Sequence, residues 1–279
     1  MKAAVLGSPI AHSLSPVLHR AAYAELGLTG WSYQAIECSE AGLPGLLAGC
    51  DGGWAGLSLT MPLKRAVLPL LGQVEPLAAE VGAANTVTFD GGAMTGHNTD
   101  VPGMIAALAE AGVPAAEVSG PGRALILGGG ATACSALASL RGLGAAEAKV
   151  AVRDQARAAD LLAAATRLGM RVRLIPFGEY PGRGWRLLIS TVPAGAADIY
   201  LKRILRTTSA PWAVLDVVYH PWPTPLAAAA RQAGAITVSG FELLLHQAGP
   251  QVELMTGKPA PIAAMRAAGL AELARRTAR

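Results

Sequence analysis

The chain has 279 residues, 52% of them hydrophobic and 15% charged, with a net charge of +4 and a pI near 9.1. This composition supports a packed core over one large domain or two ordinary ones and excludes a disordered chain. Apart from Arg275-Arg276-Thr277-Ala278-Arg279 the basic residues are scattered, with no basic stripe interleaved with aromatics, so no nucleic-acid partner is expected.

Short apolar runs alternate with Ala/Leu-rich helical runs along the chain, the pattern of an α/β fold with mainly parallel sheets. Lys2 to Leu6 is a predicted strand, and Ser15-Pro16 opens a helix that stops near Gly27. Strands are predicted at Ser32 to Ile36 and Gly56 to Leu59, with a helix over Gly42 to Leu47 between them. Thr86 to Phe89 and Ala93 to Thr95 flank Asp90-Gly91-Gly92 as a hairpin. Asp100-Val101-Pro102 starts a helix, and the Pro/Gly-rich segment Gly112 to Arg123 reads as a connection. Strands follow at Ala124 to Leu127, Lys149 to Val152, Val172 to Ile175, Leu187 to Ser190, Val214 to Val217 and Ile236 to Val238. The first of these leads into a helix of small residues ending near Leu143, and two helices, Glu242 to Met255 and Ile262 to Ala274, close the chain. The change of pattern divides it into domains at 1–100 and 101–240, with 241–279 as C-terminal helices packing back toward the first.

No run of about 20 apolar residues is present, so no membrane span is expected. The apolar run in Met1 to Pro9 is too short for a signal peptide. Cys38, Cys50 and Cys134 are odd in number and irregularly spaced, fitting neither a disulfide framework nor a zinc site. Reduced thiols in a cytoplasmic protein without a metal are the expectation.

Four polar islands interrupt the apolar first hundred residues: Ser13-Leu14-Ser15-Pro16, Thr60 with Lys64, Asn85-Thr86, and Asn98-Thr99-Asp100. Each falls at a strand end or a helix start, where ligands bind in open α/β sheets. Taken singly, Ser15, Thr60 and Asp100 are also good helix N-caps and Asn85 a turn residue. Lys64 stands apart, because Pro62 favours the first turn of a helix. An ammonium there faces the positive end of the helix dipole. It is either poorly placed for stability or tuned for proton transfer.

In the second half Gly128, Gly130 and Ala133 fit G-x-G-x-x-G/A between a strand and a helix. Glycines there allow a tight turn and close approach to a pyrophosphate. The next strand ends in Val152-Arg153-Asp154-Gln155-Ala156-Arg157. Two arginines favour the 2′-phosphate of NADP, whereas Asp154 is open to two roles: an ion pair with Arg157, or a contact to the ribose 2′-hydroxyl that permits NAD.

Gly7-Ser8-Pro9-Ile10-Ala11-His12-Ser13-Leu14-Ser15-Pro16 with His19 resembles the N-terminal signature of shikimate dehydrogenases. Leu59-Thr60-Met61-Pro62-Leu63-Lys64 is similar to that family's segment with the catalytic lysine. Gly82-Ala83-Ala84-Asn85-Thr86, Gly96-His97-Asn98-Thr99-Asp100, Asp216 to Tyr219 with Pro223-Thr224-Pro225-Leu226, and Gly240 to Gln247 match further motifs in order and spacing. The resemblance spans nearly the whole chain. It implies an N-terminal α/β substrate domain, a Rossmann-like NADP domain, and NADPH-dependent reduction of 3-dehydroshikimate to shikimate on the route to chorismate and aromatic amino acids.

By that resemblance Lys64 and Asp100 are the catalytic pair. Ser13 and Ser15 hold the substrate carboxylate with help from Tyr219, while Thr60, Asn85 and Gln247 bind ring hydroxyls. Gly128, Gly129, Gly130, Ala131 and Thr132 cradle the pyrophosphate, Arg153 and Arg157 meet the 2′-phosphate, and Thr191, Val217 and Gly240 lie near the nicotinamide. The chain departs from the family pattern at Ala131, commonly glycine, and at Val152 and Asp154, which flank the first cofactor arginine. Asp154 keeps an NAD-linked quinate/shikimate dehydrogenase as an alternative, and a non-catalytic shikimate-binding relative is a second. A monomer or homodimer is expected.

Overall fold

The computed structural model describes residues 1–179, 184–202 and 213–278, with the side chain of Arg157 outside the description. It contains two compact units, Met1–Asp100 with Leu244–Arg279, and Val101–Leu243.

The first unit is built on β1 (Lys2–Gly7), α1 (Ser15–Glu25), β2 (Ser32–Glu37), α2 (Leu43–Ala48), β3 (Trp54–Leu59), α3 (Leu63–Ala66), β4 (Gln73–Val74), α4 (Pro76–Val81), β5 (Thr86–Asp90) and β6 (Ala93–His97). The sheet order is β2-β1-β3-β5-β6-β4. β1 pairs in parallel with β2 and β3, while the β5–β6 hairpin adds antiparallel to β3. β1 and β3 are buried almost throughout, which is why both read as continuous apolar runs rather than alternating ones. Leu6, Leu43, Leu57, Leu59, Leu63 and Val87 form the core of this unit.

The second unit comprises α5 (Asp100–Glu110), α6 (Ala115–Val118), β7 (Ala124–Leu127), α7 (Ala131–Gly142), β8 (Glu147–Val152), α8 (Ala159–Arg167), β9 (Arg171–Pro176), β10 (Leu187–Ser190), β11 (Ala213–Asp216), α9 (Pro225–Gln232) and β12 (Ile236–Ser239). Its sheet runs β12-β11-β10-β7-β8-β9, and all five pairings are parallel. The chain winds outward from β7 to β9, then returns to β10 beside β7 and winds the other way. The reversal between β7 and β10 is the switch point at which doubly wound sheets bind ligands. α10 (Gly240–Thr256) continues through Pro250, and α11 (Ile262–Thr277) packs along α1.

Several local expectations change. The connection Gly112 to Arg123 contains the helical turn α6. Ser15 is the first residue of α1 rather than its cap; Leu14 holds the cap position, and Ser13 Oγ accepts from Ser15 N at 3.2 Å. Pro62 caps α3, which is a single turn with Lys64 as its second residue and no side-chain cap from Thr60. A one-turn helix has only a small dipole, so its start does little to disfavour the Lys64 ammonium.

Candidate active site

Lys64 is positioned by backbone on both sides. β3 ends at Leu59, whose N–H donates to Asn85 O at 2.7 Å, and Thr60 N donates to Leu6 O at 2.9 Å. Ala84 N then donates to Lys64 O at 2.8 Å, which seats the lysine beside Asn85. Its ammonium forms an ion pair with Oδ2 of Asp100, at the start of α5, and the side chains are 14% and 6% exposed. Asp100 therefore uses its carboxylate on other side chains rather than as a helix cap. A pair so nearly dry persists only when its remaining lone pairs are satisfied.

Asn85 supplies that satisfaction. Its Nδ2 donates to Asp100 Oδ1 at 2.8 Å and lies 2.9 Å from Thr99 Oγ1 and 3.1 Å from Gln247 Oε1. Its Oδ1 accepts from Thr99 N at 2.8 Å and from Thr86 Oγ1 at 2.9 Å. Gln247 is held in turn by donation to Leu244 O at 2.9 Å. Lys64, Asn85, Asp100 and Gln247 are thus brought into one hydrogen-bonded cluster, with half-buried Thr60 four residues before Lys64.

Ser13 and Ser15 lie at the amino end of α1, whose first turn has no acidic residue and no side-chain cap. His19 closes the next turn, with Nδ1 3.0 Å from Ser15 O, and its ring stacks on Tyr33 at 3.9 Å between centroids. Burial pushes its pKa down to about 4 against the Ser15 carbonyl bond that raises it, so the imidazole is neutral. Tyr33, Ser58 and Gln251, absent from the sequence-based set, are buried beside these residues. One signal for Gln251 was available: it follows Gln247 by four residues and so shares its helix face.

In the second unit, the turn after β7 is shaped for close backbone approach. Gly128 has φ +108°, and a Cβ there would stand 2.5 Å from Thr191 Oγ1, which itself donates to Leu127 O at 2.7 Å. Gly130 caps α7 in extended backbone with no side-chain cap, and among the described residues no atom outside its own chain neighbours lies within 4 Å of where its Cβ would sit. A helix start without a side-chain cap, following a glycine turn, suits an anion. Arg153 and Asp154 follow the neighbouring strand β8, both exposed. Asp154 Oδ1 accepts from Ala156 N at 2.9 Å, capping the turn that carries Arg157.

Across the switch point, a Cβ on Gly240 would fall 2.0 Å from Val217 O, so Gly240 is what lets the start of α10 lie against the segment after β11. Asp216 pins the loop beyond: it accepts from Val218 N at 3.3 Å and from Thr224 Oγ1 at 2.8 Å. Burial pushes its carboxyl pKa up, opposed by these bonds. Half-buried Tyr219 sits on this loop.

A doubly wound parallel sheet with a glycine-lined first crossover, in one chain with a unit holding a buried lysine–aspartate pair, defines a two-domain α/β oxidoreductase of the dinucleotide-binding class. The family model described as the shikimate dehydrogenase substrate binding domain matches residues 5–87, and that of the shikimate 5′-dehydrogenase C-terminal domain matches residues 240–268. The shikimate dehydrogenase (NADP(+)) of Geobacter metallireducens is 35% identical, the match covering 97% of this chain and 96% of that one. The crystal structure of Mycobacterium tuberculosis shikimate dehydrogenase is 41% identical with a TM-score of 0.85, over 97% of this chain and 99% of that one. The shikimate 5-dehydrogenase of Thermus thermophilus, in complex with NADP(H) and shikimate, is 33% identical with a TM-score of 0.82, over 98% and 100%. The chain belongs to the shikimate dehydrogenase family.

Proposed function

We propose that the chain is an NADP-dependent shikimate dehydrogenase that interconverts 3-dehydroshikimate and shikimate in aromatic amino acid biosynthesis. The observation that carries this reading is the ion pair of Lys64 and Asp100 within a cluster of neutral amides and hydroxyls. Such a set pairs one proton donor with groups that read hydroxyls.

Ser13 and Ser15, at the start of α1, bind the substrate carboxylate, and Tyr219 assists. Thr60, Asn85 and Gln247 bind ring hydroxyls. In the reduction, the Lys64 ammonium donates a proton to the oxygen at C3 as negative charge develops there. Asp100 holds the ammonium by Oδ2 and fixes the direction of that donation. In the oxidation, the amine takes the proton back. The bound cofactor supplies or accepts the hydride.

The uncapped glycine turn after β7 fits a dinucleotide, because side chains there would fill the space it needs. Gly128, Gly129, Gly130, Ala131 and Thr132 hold the pyrophosphate, Arg153 and Arg157 the 2′-phosphate, and Thr191, Val217 and Gly240 border the nicotinamide. Asp154 Oδ1 accepts from the Ala156 N–H and so serves the turn, while the two arginines and the NADP(+)-dependent relatives support NADP. Residues 1–100 with the C-terminal helices form the substrate domain, and residues 101–240 bind the dinucleotide. Among the described residues no helix is long and apolar enough to cross a membrane. We assign the protein to the cytoplasm, as monomer or homodimer, in keeping with three cysteines outside any disulfide.

Steady-state oxidation of shikimate with NADP, compared with NAD and with quinate, tests the reading. Turnover of shikimate should be fastest with NADP. No turnover of shikimate with either cofactor would sink it.

A further inference from the structure

A line of buried polar side chains runs through the first unit behind the Lys64–Asp100 pair. The Tyr33 hydroxyl lies 2.7 Å from Ser58 Oγ, and Ser58 Oγ lies 2.9 Å from Gln251 Oε1. Gln251 Nε2 lies 2.9 Å from Thr86 Oγ1 and 3.3 Å from Asn85 O. Thr86 Oγ1 lies 2.9 Å from Asn85 Oδ1, and Asn85 Nδ2 lies 2.8 Å from Asp100 Oδ1. Tyr33, Ser58, Asn85, Thr86 and Gln251 are all 3% exposed or less. Five buried polar side chains in a row demand a reason, since each costs about 1–3 kcal/mol if left unsatisfied.

Groups that can act in only one way fix the direction of every bond in the line. The Asp100 carboxylate and the Asn85 carbonyl can only accept, and the Thr99 N–H can only donate. Asn85 therefore turns its amine to Asp100 and its oxygen to Thr99 and Thr86. Gln251 turns its amine to Asn85 O, which leaves Oε1 facing Ser58. Ser58 must then donate to Gln251, and so must accept from Tyr33. All donors point one way, from Tyr33 toward Asp100.

We propose that Gln251 is a positioning residue for the reaction: it grips Asn85 by the backbone carbonyl and, through Thr86, by the amide oxygen, and so holds the amine that fixes Asp100 on Lys64. Tyr33 and Ser58 anchor Gln251 to the start of α1, because Tyr33 stacks on His19, which is bonded to Ser15 O. The line thus couples the segment that binds the substrate carboxylate to the segment that moves the proton. The inference rests on the roles given above to Lys64, Asp100, Ser13 and Ser15. Gln251 lies on α10 far along the chain from both, and its side chain belongs to neither set of substrate contacts.

The test measures kcat and KM for shikimate with NADP in wild type, Gln251→Met, Gln251→Glu and Tyr33→Phe, with melting temperatures. Gln251→Met should lower kcat by about 10- to 100-fold, as small misplacements of catalytic groups do, with KM changed by less than about 3-fold. Tyr33→Phe removes a single donor and should have a smaller effect of the same kind. In the double variant Tyr33→Phe should add nothing to Gln251→Met, because the line is already cut. Gln251→Glu keeps the shape and donates only when protonated, so its kcat relative to wild type should rise as pH falls. A lowered melting temperature with wild-type kcat in Gln251→Met would overturn the inference. If Gln251→Met does not fold, a pH-independent kcat ratio in Gln251→Glu would overturn it instead. Absence of turnover in the wild type itself would strike the proposed function, a distinct result.

Discussion

Lys64 meets Asp100 across 36 residues of sequence, and Asn85 is what brings the two together. The residue before Asn85 bonds the Lys64 carbonyl, and the Asn85 amide takes the Asp100 oxygen that Lys64 leaves. The ammonium is thereby fixed at its root and at its tip.

Replacing Lys64 by Ala removes the proton donor and leaves Asp100 with Asn85 alone. Turnover of shikimate should fall at least ~100-fold, the usual worth of a positioned acid or base, with a smaller change in KM. Steady-state rates near wild type would remove Lys64 from the chemistry.

Arg153 and Asp154 separate cofactor charge from local structure. Arg153→Ala should raise KM for NADP far more than for NAD, because only the former carries the 2′-phosphate. Asp154→Asn keeps an oxygen for the Ala156 N–H and should leave the preference unchanged, whereas Asp154→Ala should destabilise the turn by ~1 kcal/mol. Equal losses with both cofactors in Arg153→Ala would remove the phosphate clamp.

Two glycines of the second unit should respond in opposite ways to alanine. Gly240→Ala sets a methyl 2.0 Å from Val217 O, a backbone atom that cannot move aside, and should cost ~3 kcal/mol or more. Gly130→Ala meets no atom within 4 Å and should fold normally, while the added methyl raises KM for NADP. Urea denaturation and cofactor titration of both variants check the pair.

His19 makes stability depend on pH. Its folded pKa is about 4, below the ordinary 6.5, because burial disfavours the cation. Between those values the unfolded chain binds more protons, so stability rises with pH there and is lost as pH falls from about 6.5 toward 4. The full effect is ~3 kcal/mol. His19→Phe, which keeps the stack on Tyr33, should flatten the dependence of melting temperature on pH in that window. An unchanged slope would assign the acid sensitivity to other groups.

The central strands β1, β3, β7 and β10 and the glycine turn were legible because burial on both faces leaves continuous apolar runs, and the turn needs residues without a side chain; the two-residue edge strand β4 was not read. Lys64, Asp100, Asn85 and Gln247 were legible as polar residues in motifs. Ser15 and Pro62 were misplaced by a residue or two at their helices, since a cap depends on backbone angles that neighbouring residues set. Tyr33, Ser58 and Gln251 left little trace. Each is an ordinary strand or helix residue until its partners arrive.

The alternation of apolar runs and glycines by itself determined two α/β units and a dinucleotide-type crossover, because secondary structure and turn chemistry are local. Only the tertiary structure decided that the Lys64 ammonium sits on a nearly dry Asp100 and that a one-way line of donors ends there. Those depend on burial and on hydrogen-bond direction. Both are properties of groups far apart in the chain, and they exist only once the sheet has brought those groups within about 3 Å of one another.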